Sequence, residues 1–174
     1  SLIISSQELA AIAADPQFAQ AAHVNLGASL QMRGDLAGAE AVFRAVIAVD
    51  PQNAMVHYNL GIVLKKRGDL AGAEAAYRAA IAADPQFAPA HCNLGNTLGD
   101  RGDLAGAEAA YCAAVAADPQ FAKSHVSLGV TLANRGDHAG AAASYAKAVQ
   151  IDPLFPNGQQ YLTQALEAMR QSRS

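Results

Sequence analysis

With 174 residues, 12 basic and 15 acidic side chains and a net charge of −3, the chain lacks the positive excess expected of a binder of nucleic acid or anionic membrane. The longest basic cluster is Lys65-Lys66-Arg67, and no apolar run approaches the roughly 18–20 residues of a membrane span. The hydrophobic fraction of 52% is largely alanine, aromatic residues are 6% and tryptophan is absent, which predicts thin, closely packed helices rather than a core of large side chains.

The chain opens Ser1-Leu2-Ile3-Ile4-Ser5, without the charged leader and long apolar stretch of a secretion signal, and reads as cytoplasmic. Ser5-Ser6-Gln7-Glu8 is a capping box that starts a helix ending near Asp15-Pro16. Residues 1–19 are therefore expected to form a half-repeat consisting of a second helix alone, separated from the first full repeat by one extra residue.

From residue 20 the chain repeats itself every 34 residues: Arg-Gly-Asp-Leu-Ala-Gly-Ala-Glu stands at 33–40, 67–74 and 101–108, and Arg-Gly-Asp-His-Ala-Gly-Ala-Ala at 135–142. A strict period of this length predicts a stacked α-solenoid, in which each repeat cannot bury its apolar face alone. The repeats are set at 20–53, 54–87, 88–121 and 122–155, and Gly158 to about Arg170 reads as a capping helix within 156–174, polar on its outer side.

In the third repeat His91, Leu94, Gly95 and Leu98 fall at i, i+3, i+4 and i+7, along one face of a first helix. Gly102 suits the position just past that helix end, and Asp103 the N-cap of the next. Ala107, Ala110, Tyr111, Ala114 and Val115 line the second helix, which Asp118-Pro119 ends. Gly95 and Ala107 are the small residues that let the two axes approach, and Tyr111 fills the space left; Gly27/Ala39/Phe43, Gly61/Ala73/Tyr77 and Gly129/Ala141/Tyr145 repeat the set.

A helix–turn–helix of 34 residues with Leu-Gly in the first helix, a small residue and an aromatic in the second, and a closing proline resembles the tetratricopeptide repeat (TPR) family. The resemblance implies an all-α, right-handed α-solenoid with half-repeat helices at both ends. The family's aromatic at the fourth place is replaced by His23, His57, His91 and His125.

Four features invite sharper readings. The Arg-Gly-Asp tripeptide is an integrin recognition motif, but its copy number equals the repeat number and its place is the interhelical turn. The histidines sit on successive first helices, at least about 8–10 Å apart, too far to converge readily on one metal at about 2.0–2.1 Å; they are read as packing residues, and no metal or cofactor is expected. Cys92 and Cys112, facing different ways, are read as free thiols. No phosphate-binding glycine loop, nucleophile elbow or His-Glu-x-x-His pair occurs, the recurring aspartates are caps, Glu40, Glu74 and Glu108 are expected as solvated groups, and no enzyme is expected.

With the packing faces removed, the first helices keep a stripe at places two, five, six, nine, twelve and thirteen, which the resemblance implies lines a concave groove. Places five include Cys92 and Val126, and the stripe also holds Tyr58, Ile62, Lys65, Lys66, Asn96, Lys123 and Ser127. Asn25, Asn59 and Asn93 share place six, and an amide pairs as donor and acceptor with peptide backbone of any sequence. An extended peptide advances about 3.3 Å per residue, so such a ladder meets roughly every third residue.

His-x-Asn-Leu-Gly-x-x-Leu in the first three repeats is similar to the superhelical repeats of the O-linked N-acetylglucosamine transferase, whose asparagine ladder holds protein substrates; Ser127 breaks the series in the fourth. The family's clamp for a terminal carboxylate is matched only by Asn93 and Lys123, with Tyr58, Ile62 and Ser127 departing from it. The reading is a non-catalytic module for an extended protein or peptide partner, with no nucleic acid and no membrane. Two alternatives stay open: a substrate-recruiting arm of a larger enzyme such as a glycosyltransferase, and self-association through Leu2-Ile3-Ile4.

Overall fold

The computed structural model describes residues 16–172, which divide into two compact units at Asp84/Pro85. The described residues are helical throughout their regular structure. The first unit holds α1 (Pro16–Met32), α2 (Leu36–Val49), α3 (Ala54–Lys66) and α4 (Leu70–Ala83). The second holds α5 (Ala88–Asp100), α6 (Leu104–Ala117), α7 (Ala122–Asn134), α8 (His138–Ile151) and α9 (Gly158–Gln171). Within each unit, helices pair as hairpins, α1 with α2, α3 with α4, α5 with α6 and α7 with α8, and α9 packs on α8. The fold is the all-α helical-repeat solenoid expected from the period. The half-repeat at 5–15 and Leu2-Ile3-Ile4 lie outside the described residues.

Each hairpin turn is made by Gly-Asp. After α5, the Gly102 N–H donates to the Gly99 carbonyl and the Asp103 N–H to the Leu98 carbonyl, both at 2.9 Å, a Schellman ending that requires the left-handed φ of +84° at Gly102. The Asp103 carboxylate then accepts from the Gly106 N–H at 2.8 Å and so caps α6. Asp35, Asp69 and Asp137 cap α2, α4 and α8 in the same way.

The arginine of the tripeptide has a separate task. Arg67 pairs with Glu40 and Arg135 with Glu108, in each case tying a turn to the second helix of the preceding hairpin. This corrects the expectation that the recurring glutamates are solvated: Glu40 holds both Arg44 and Arg67, and Glu74, only 7% exposed, is paired with Arg78. The partners Arg67 and Arg135 lie 27 residues from their glutamates, so helical spacing within one repeat does not reveal them.

Second helices stop where predicted, with Asp50, Asp118 and Asp152 as C-caps before proline. The Asp118 carboxylate accepts from the Gln120 N–H at 2.9 Å, shaping the link to the next hairpin. The fourth-place histidine then closes that link: Nε2–H of His57, His91 and His125 donates to the carbonyl of Pro51, Pro85 and Pro119 at 2.8, 3.0 and 3.0 Å. The imidazole thus adds a polar bond to its packing. The described part of α1 runs from Pro16, ahead of the expected repeat start.

Glycine and ring pack as the sequence implies. A Cβ at Gly61 would stand 2.5 Å from Cε1 of Tyr77, and one at Gly95 2.5 Å from Cε1 of Tyr111. Phe43 and Tyr77 are 0% and 1% exposed. α9 covers the last hairpin: Ala165, Tyr161, Leu162 and Met169 pack on a core of Val126, Ala141, Ala142, Tyr145 and Ala148, with the Tyr145 and Tyr161 ring centroids 5.4 Å apart. Its other side, Gln159, Gln160, Thr163, Glu167 and Arg170, is exposed.

Tyr111 carries a polar duty besides filling space. Its hydroxyl donates to Asn96 Oδ1 at 2.8 Å, and burial, with Cys92 and Asp100 nearby, pushes the phenol from 10.0 up to about 12. Burial and Tyr161 raise Tyr145 as well. One buried polar atom is left over: Ser124 Oγ, fully buried, has no hydrogen-bond partner among the described residues, and the same place holds Val56 and Ala90 in the second and third repeats.

These contacts give three expectations for urea unfolding. Gly61→Ala, forcing a methyl against a ring that cannot swing away, should lower stability by about 1–3 kcal/mol despite alanine's helix propensity. Ser124→Ala, removing an unpaired hydroxyl, should raise it by about 1 kcal/mol or more; a loss would mean the hydroxyl is satisfied. For Tyr111 the folded state binds its proton more tightly than the unfolded one, so this stability is complete below pH 10.0 and is lost as pH rises towards about 12. The parent should therefore lose more stability than Tyr111→Phe over that window, and equal losses would refute the assignment.

Candidate functional site

The first helices carry the stripe predicted for binding. In the first unit Asn25 on α1 is exposed, while Asn59, Tyr58, Ile62 and Lys65 on α3 are half-buried and Lys66 is exposed. The Tyr58 ring rests against Tyr77, centroids 6.0 Å apart, which fixes it to the hairpin beneath. Met32 and Met55, 82% and 49% exposed, add soft apolar surface at the same stripe.

In the second unit Asn93 and Asn96 on α5 and Ser127 on α7 are half-buried, and Lys123 is exposed. Asn96 is held by the Tyr111 hydroxyl, so its carbonyl oxygen is engaged and its amino group stays on offer. Ser127 Oγ lies 3.8 Å from Cys92 Sγ, linking α7 to α5. All ten predicted site residues thus lie at least partly open on first helices, and Tyr58, Lys65, Asn96 and Ser127 are already engaged within the protein.

The stripe is narrower than the sequence suggests. Cys92 and Val126, both at place five, are 0% and 8% exposed. α5 and α7 touch directly in this unit, so the neighbouring first helix covers place five of α5, while Val126 joins the core beneath α9. Place six remains open in the first three repeats. The side-chain amides of Asn25, Asn59 and Asn93 make no hydrogen bond among the described residues, and each can present both donor and acceptor.

No group of three or more His, Cys, Asp or Glu among the described residues could hold a metal ion. Neither cysteine is in a disulfide: Cys92 is buried, and Cys112 is exposed, its pKa pushed upward by burial and Glu108, which keeps it protonated and weakly nucleophilic. No helix among the described residues is long and apolar enough to cross a membrane.

Comparison with known proteins agrees with the geometry. Among solved structures, MamA superposes with a TM-score of 0.74 at 24% identity over 86% of this chain and 82% of its own. PilF of Pseudomonas aeruginosa gives 0.78 at 22% identity over 87% and 69%. The first TPR of Spaghetti (RPAP3), bound to the HSP90 peptide SRMEEVD, gives 0.64 at 21% over 68% and 97%. At such identities the likeness establishes the fold. No curated protein matches the sequence. The tetratricopeptide repeat signature, however, matches residues 24–86 and 92–154, most of the length, and the chain belongs to the tetratricopeptide repeat family.

Proposed function

We propose that this chain is a non-catalytic module that holds an extended segment of another protein along its first helices, each unit contributing the amides it carries. Family membership supports a protein or peptide partner, and a structural neighbour is seen with a peptide bound. The observation that carries the reading is the set of three amides at one repeat place, Asn25, Asn59 and Asn93, none engaged with the described residues. Likeness of His-x-Asn-Leu-Gly-x-x-Leu to the O-linked N-acetylglucosamine transferase repeats supports the same ladder.

Around the ladder, Tyr58 and Ile62 offer apolar contact, while Lys65, Lys66 and Lys123 favour an acidic stretch. Asn96 contributes a donor held by Tyr111, and Ser127 a short hydroxyl where the fourth amide is missing. Affinity should be micromolar, or about −8 kcal/mol. Screening a library of extended, unstructured peptides for binders of the intact chain supplies the probe. Replacing Asn25, Asn59 and Asn93 by alanine should then cost about 0.5–1.5 kcal/mol each if their bonds are used. A triple variant that binds the selected peptides as tightly as the parent removes the ladder.

A further inference from the structure

A cavity of about 380 Å³ opens in the first unit between the second helices α2 and α4, with α3 as its floor. It lies towards the low end of the range of about 300–1,000 Å³ typical of small-molecule sites. Leu60 and Leu64, 6% and 3% exposed, form the floor, and Ile47 lines the α2 side. The α4 wall consists of Gly72, Ala75, Ala76 and Ala79, and the space exists because that face carries no side chain longer than a methyl. In the fourth repeat the places of Ala76 and Ala79 hold Ser144 and Lys147, so this alanine wall is not a requirement of the fold.

Two polar groups border the cavity. His57 spends Nε2 on the Pro51 carbonyl. Arg44 donates Nε–H to one oxygen of Glu40 at 2.9 Å, and the other oxygen of that carboxylate is taken by Arg67. Two guanidiniums therefore share one carboxylate, leaving one positive charge in surplus. The terminal nitrogens of Arg44 make no hydrogen bond among the described residues, and they are the geometry best suited to a carboxylate.

An apolar cavity edged by a single surplus guanidinium is complementary to a small amphiphile with one negative head. We infer that it binds a free aliphatic carboxylate of about six to eight carbons, its tail on Leu60, Leu64 and the alanine wall and its head on Arg44. The site is formed by α2, α3 and α4, and uses none of the ladder amides.

The test is titration of the full chain with butanoate, hexanoate and octanoate, and with octanol and octylammonium, following the Ile47 methyl signals by NMR. Octanoate should give saturable shifts at millimolar or lower concentration, with affinity rising about fourfold per added methylene. Arg44→Gln should weaken octanoate about tenfold or more while leaving octanol unchanged. Ala79→Leu, filling the cavity, should abolish both; if it fails to fold, Ala75→Leu at the exposed edge of the same wall serves instead.

No saturable shift, or equal binding of octanoate and octanol, overturns the inference, as does an unaffected Arg44→Gln variant. A peptide ending in leucine that binds about tenfold tighter than octanoate would reassign the cavity to a chain terminus. A similar gain for octanoate on deleting residues 1–4 would reassign it to Leu2-Ile3-Ile4. The alanine variant at Asn25, Asn59 and Asn93 should bind octanoate like the parent, so failure of the peptide reading and failure of this one are separately visible.

Discussion

The contact on which each hairpin depends is the seating of an aromatic ring on a bare glycine. With a Cβ at Gly61 only 2.5 Å from Tyr77, the two helix axes stand as near as the ring allows, and no larger residue fits between them. That closeness brings Ala39, Ala73, Ala107 and Ala141, each at most 2% exposed, into the same interface. An alanine-rich composition with few aromatics then suffices, because each large ring meets a flat backbone surface instead of competing with other large side chains.

Polar bonds at the ends of the hairpins fix how one succeeds another. Gly-Asp sets the turn inside a hairpin, while the histidine bond to the proline carbonyl and the arginine-to-glutamate pair act between successive hairpins. The pairs are partly exposed and individually weak. Their value lies in register: a slip of one residue would break the cap, the imidazole bond and the ion pair together, whereas the alanine surfaces alone would tolerate it. Fixed register keeps Asn59 and Asn93 at equivalent places on their helices.

Local signals were legible in the sequence because their causes are local. Asp103 beside Gly102, Gly95 sixteen residues before Tyr111, and Pro119 after Asp118 each announce a cap, a close contact or a helix end from one repeat alone. Three features were not. Glu40 finds Arg67 across 27 residues, His57 reveals its bond only when the Asp-Pro link folds back, and Cys92 looks open until α7 covers it. For Glu40 and Cys92 the deciding neighbour lies in another hairpin, and for His57 in the link between hairpins, in each case beyond the periodicity of a single helix. The openness of Asn25, Asn59 and Asn93 was legible because place six stays uncovered, so helix geometry alone suffices for it.

Repetition and individuality divide the work in this chain along a physical line. Positions that contact their own hairpin are nearly invariant between repeats, since the ring-on-glycine geometry leaves each little choice. Places outside that contact differ: Tyr58 against Cys92 at place five, Ile62 against Asn96 at place nine, Ala79 against Lys147 on the second helix. The same thin second helix that permits close packing also leaves its far side shallow, and in the first unit a cavity opens beside Ala75, Ala76 and Ala79. In a scaffold so economical in side-chain volume, a single substitution at a non-packing place changes the surface markedly, as Lys147 does at the place that Ala79 holds in the second repeat.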